Sequence, residues 1–159
     1  MNTYITKTAF PLYNLLNIHS NEPYVLISCL SSREFRDVEE RFNMFKSGSS
    51  SRNMIEHLTL QFHDCEPNKT VDGVPVKFGN LEFFSEEHAH KILTLHEKMI
   101  DTGINRLYVH CWDGVSRSPA VCAALDNIEG KPDDHWFKNY SPNPYVYRTL
   151  IETYYKIVS

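Results

Sequence analysis

Cysteine is scarce in this chain, and its spacing suggests no pairing. The four cysteines, Cys29, Cys65, Cys111 and Cys122, form no Cys-x2-Cys motif and no disulfide framework, a usage that suits free thiols in a reducing compartment. No stretch approaches the roughly 18 apolar residues of a membrane span, so no membrane partner is expected. Met1 to Pro11 contains one lysine and no continuous apolar run. It lacks a secretory signal pattern, and a cytoplasmic protein is the default expectation. The 16 basic residues are outnumbered by 20 acidic ones, for a formal charge of −4. A nucleic-acid binder leans the other way, so no nucleic-acid partner is expected. Internal repeats are lacking, and the one low-complexity patch, Ser47-Gly48-Ser49-Ser50-Ser51, reads as a mobile loop.

What the chain does have is material for a core. Its 159 residues are 42% hydrophobic and 13% aromatic, which fits a single domain over residues 1–159. Tyr24–Leu30 is a short apolar run after Pro23 and predicts a buried strand. Phe35, Val38, Phe42 and Phe45 recur at helical spacing and predict one helix over Arg33–Phe45. Leu58–Phe62 alternates like a second strand, and Asp72-Gly73 signals a turn before an extended piece at Val74–Phe78. Ser85 is a candidate cap for a helix with Glu86 and Glu87 in its first turn, stopped by Gly103. Ile104–His110 predicts a third strand, Pro119 opens an apolar helix over Ala120–Ile128, and Asn143-Pro144 starts a last helix through Tyr155. Helices alternate with strands. The expected fold is therefore α/β, with a central, mainly parallel sheet flanked by helices on both faces.

Chemistry concentrates in His110-Cys111-Trp112-Asp113-Gly114-Val115-Ser116-Arg117-Ser118-Pro119, where a strand is predicted to end and a helix to begin. A helix N-terminus offers unpaired N–H groups and a partial positive charge, so it binds anions. A loop bending at Gly114 can curl the amides of Trp112, Asp113, Gly114, Val115, Ser116 and Arg117 around one phosphate. Cys111 then faces the phosphorus as nucleophile, in a setting that favours its thiolate. Arg117, five residues further on in the loop, returns to grip two phosphate oxygens in its bidentate fork.

The string HCWDGVSRS resembles the His-Cys-x5-Arg-Ser/Thr signature of the protein tyrosine and dual-specificity phosphatases. The runs LTLQFHD, SEEHAHKIL and NPYVYRTL are similar to those of small bacterial and phage members, so the likeness covers about the C-terminal two thirds of the chain. By that resemblance His110 orients the cysteine loop and Ser118 donates a hydrogen bond to the departing thiolate. The resemblance also implies a general-acid aspartate on a loop after a strand, upstream of the cysteine. Asp64, directly after LTLQF, is the first candidate and Asp72 the second.

Asp113 departs from the pattern, since many dual-specificity enzymes carry a small apolar residue there. A carboxylate beside an anion pocket opposes phosphate binding unless its side chain points away. The Cys-x-Asp-Gly run is also similar to that of myotubularin-like lipid phosphatases, but Ser116 stands where those loops carry an aspartate. The histidines and Cys65 show no zinc-site spacing, and neither metal nor cofactor is expected. The implied function is hydrolysis of phosphate monoesters on phosphorylated proteins or peptides, at tyrosine or serine/threonine, through a cysteinyl-phosphate. The alternatives are phosphoinositides or RNA 5′ ends as substrates, or a module that binds phosphate without turnover.

Overall fold

The computed structural model describes residues 5–67, 70–75 and 81–159. Strands β1 (Thr6–Pro11), β2 (Tyr24–Leu30), β3 (Met54–Gln61) and β6 (Arg106–Cys111) build the main sheet, and β4 (Thr70–Val71) and β5 (Val74–Pro75) a small hairpin. The helices are α1 (Ser32–Asp37), α2 (Glu39–Ser47), α3 (Glu86–Thr102), α4 (Arg117–Ile128), α5 (Asp134–Asn139) and α6 (Pro144–Val158). The sheet runs β1-β6-β2-β3 with every neighbouring pair parallel. This is the expected α/β domain, a four-stranded parallel sheet covered on both faces.

Strand β2 is buried at all seven positions, which explains why its sequence is a continuous apolar run rather than an alternating one. Its side chains still divide by face. Val25, Ile27 and Cys29 join Leu107, Val109 and Cys111 of β6 under α3, α4 and α6. Tyr24, Leu26 and Leu30 pack with Phe42 and Phe45 of α2 and with Leu12 and Leu15 of a 3₁₀ helix over Leu12–Asn17. Because the strands are parallel, β2, β3 and β6 all end at one edge, the edge where open α/β sheets bind ligands.

Several local expectations needed correction. The predicted helix over Arg33–Phe45 is two helices, broken at Val38 (φ −119, ψ 17). Strand β1 and helix α5 went unread. The serine patch is pinned rather than loose: Tyr24 Oη donates to Ser50 O at 2.5 Å and Ser50 Oγ to Leu16 O at 2.7 Å. Asp72 (φ 53) and Gly73 (φ 78) form the turn between β4 and β5. The predicted extension of that second strand over residues 76–78 lies outside the described residues. Helix α3 starts on a Ser85–His88 capping box and ends at left-handed Gly103 (φ 76). Among the described residues no helix is long and apolar enough to cross a membrane.

Candidate active site

The loop between Cys111, the last residue of β6, and Arg117, the first of α4, closes tightly. Gly114 has φ 74, and a Cβ there would lie 2.6 Å from Pro11 N and 2.8 Å from Phe10 C. Both the backbone conformation and the space therefore require glycine. Leu12 N–H donates to Trp112 O at 3.2 Å, which ties the loop to the end of β1. Cys111 is 1% exposed, and its Sγ accepts the Gly114 N–H at 3.3 Å and lies 3.2 Å from Ser118 Oγ. The Gly114 N–H and the Ser118 hydroxyl thus both meet the sulfur beside the N-terminus of α4.

Arg117 is 5% exposed and fully engaged at one end. Its Nη1 and Nη2 donate to Glu34 Oε1 and Oε2 at 2.8 and 3.2 Å, and Nη1 also donates to Phe62 O at 2.9 Å. The bidentate fork thus clamps a carboxylate of α1. Glu34 is itself part of the α1 cap, accepting the Ser31 N–H at 2.8 Å. Burial pushes the Glu34 carboxyl up, but its bonds from Arg117 and Ser31 outweigh that and hold it below the usual carboxylate range.

The structure brings Asp64 to the loop. Its Oδ1 accepts from Ser116 Oγ at 2.7 Å and from Asn143 Nδ2 at 2.8 Å. Asn143 is a hub. Its Oδ1 accepts the Tyr145 and Val146 N–H groups at 2.9 and 3.1 Å as the cap of α6, and its N–H donates to Ser116 O at 3.0 Å. Asp72 sits instead in the β4–β5 turn.

Behind the loop lies a buried polar chain. His110 Nδ1 is 3.4 Å from Cys111 O, His110 Nε2 is 2.6 Å from Ser28 Oγ, and Ser28 Oγ is 2.7 Å from His57 Nε2. Only one polarity satisfies every atom. With Nδ1–H of His110 donating to the carbonyl, Nε2 accepts from Ser28, whose oxygen accepts from His57 Nε2–H. Burial keeps both rings neutral, lowering His110 to about 3 and His57 to about 4. His57 also stacks on Phe42, with centroids 5.8 Å apart.

Asp113 does not point away. Its Oδ1 accepts the Val115 N–H at 3.1 Å and lies 3.8 Å from Cys111 Sγ.

By sequence, no family model and no curated protein matches the chain. Solved structures do match its fold over nearly their whole length. The human tyrosine phosphatase-like serine/threonine/tyrosine-interacting protein is 14% identical, with a TM-score of 0.55 over 96% of this chain and 93% of that one. PTPMT1 in complex with PI(5)P is 22% identical, with a TM-score of 0.52 over 99% and 94%. Kinase-associated phosphatase, with serine in place of its catalytic cysteine, is 12% identical, with a TM-score of 0.51 over 100% and 99%. The chain shares its fold with these structures.

The geometry gathers Cys111, Arg117, Ser118, His110 and Asp64 at one strand edge. Sequence reasoning missed Glu34, Ser28 and His57, and saw Asn143 only as a cap. Glu34 carried one usable signal, the Ser-x-x-Glu spacing of a capping box from Ser31. That spacing marks a helix start and says nothing of Arg117.

Proposed function

We propose that the chain is a cysteine-dependent phosphatase that hydrolyses phosphate monoesters, with phosphotyrosine or phosphoserine/threonine of proteins and peptides as its substrate class. The observation that carries the reading is a buried Cys111 Sγ, ringed by the Gly114 N–H and Ser118 Oγ, beside a loop that binds the Asp64 carboxylate through Ser116. In the first step Cys111 Sγ attacks phosphorus, the P–O bond to the leaving group breaks, and Asp64 gives that oxygen its proton. The amides of Trp112 to Arg117 and the Arg117 guanidinium, held by Glu34, carry the charge on the equatorial oxygens. In the second step Asp64 takes a proton from water, whose oxygen attacks phosphorus, and the P–S bond breaks with Ser118 donating to the departing sulfur. His110, locked by Ser28, fixes the Cys111 carbonyl and so the start of the loop.

The match to a PTPMT1 structure that holds PI(5)P favours a phosphoinositide monoester as the second reading. A panel of phosphopeptides and phosphoinositides separates the two.

The deciding experiment is hydrolysis of an aryl phosphate without added metal, comparing the wild-type chain with Cys111→Ser. Turnover in the first and none in the second is expected, with inorganic phosphate still bound by the variant. Equal turnover in both would remove the covalent mechanism. A folded wild type without turnover would point to a phosphate-binding module.

A further inference from the structure

Resting on the phosphatase reading, Asp113 bears on how the loop takes up an anion. Asp113 Oδ1 takes the Val115 N–H at 3.1 Å and stands 3.8 Å from Cys111 Sγ. That places an anionic oxygen on a loop donor and near the nucleophile. We propose that Asp113 is an internal competitor for the phosphoryl group, which sets the loop's affinity for anionic substrates.

A phosphate entering the loop has to displace the carboxylate or sit beside it, so removing the charge tightens binding. Asp113→Asn separates charge from shape, because the asparagine oxygen still accepts the Val115 N–H. Asp113→Ala removes both.

The test uses the full chain as wild type, Asp113→Asn and Asp113→Ala, each checked for native circular dichroism. Inorganic phosphate binding is measured by calorimetry. The expected result is phosphate binding about tenfold tighter in Asp113→Asn, equivalent to about 1.4 kcal/mol. Equal or weaker phosphate affinity in Asp113→Asn would overturn the inference while leaving the phosphatase reading intact. Failure of every folded variant to bind phosphate would overturn the cradle itself, and the inference with it.

Discussion

A guanidinium shut away from water needs a counter-charge, and Glu34 supplies it for Arg117. The two-point contact at 2.8 and 3.2 Å fixes the plane of Arg117, and the bond to Phe62 O ties it to the end of β3, next to Asp64. Losing the Glu34 charge leaves a nearly buried cation underpaired, which is costly. Glu34→Gln keeps the shape and one acceptor. It is expected to lower kcat/KM for an aryl phosphate about tenfold and stability by about 1–3 kcal/mol, read by initial rates and thermal melts. A loss of stability with unchanged kcat/KM would make the pair structural only. Sequence distance decides what could be read at this scale. The Cys111–Arg117 loop is local, and its place between β6 and α4 was legible. Glu34 and Asn143 act on partners 83 and 79 positions away. Glu34 sits among Arg33, Arg36, Asp37, Glu39 and Glu40, where one more charge looks like solvated helix surface.

Elements were readable where hydrophobic periodicity and caps agree. α3 carried both kinds of signal, α6 its Asn143-Pro144 start, and β2 an unbroken apolar run. β1 carried none of these, because Lys7 in its middle is buried as an ion, 2.7 Å from Asp126 and 2.5 Å from Glu129, and a buried lysine reads as surface in a sequence. Helix α5 has only six residues and buries only Trp136. The break at Val38 escaped notice because Phe35, Val38, Phe42 and Phe45 keep one apolar face across it, with neither glycine nor proline to mark it. At the start of α6 two substitutions separate capping from catalysis. Asn143→Ala removes the cap at about 1 kcal/mol and frees Asp64. Asn143→Asp keeps the cap acceptor and favours the helix dipole, but swaps the donor to Asp64 for a like charge. The expected outcome is a melting temperature near wild type for Asn143→Asp, with turnover of alkyl phosphates reduced at least as much as in Asn143→Ala. Full turnover in Asn143→Asp would show that the tether is irrelevant to the acid.

Across the whole molecule, acid stability follows from groups buried on both sides of the sheet. The native chain keeps His57 neutral down to about 4 and His110 down to about 3, whereas the unfolded chain protonates histidine below about 6.5. Over that interval the unfolded state binds more protons, so stability falls as pH falls, by about 1.4 kcal/mol per pH unit for each ring. A second decline begins lower. Burial pushes Glu129 up, but its bonds from His96 and Lys7 prevail and hold it at about 2. Its contribution is complete above the unfolded carboxyl value of about 4.3 and is lost as pH drops toward 2, and Glu34 shifts in the same direction. Urea denaturation at pH 7.5, 6 and 5 is expected to show a falling midpoint across the series. A flat series would mean that the two rings take up protons without opening the fold.

The amide of Asn143 serves α6 with its oxygen and Asp64 with its nitrogen. Helix ends fray before helix middles, and Asn143 caps the first turn of α6. Mild warming that loosens the first turn of α6 would let the aspartate drift while the strands stay paired, so the proposed hydrolysis would stop before the fold opens and return on cooling without refolding.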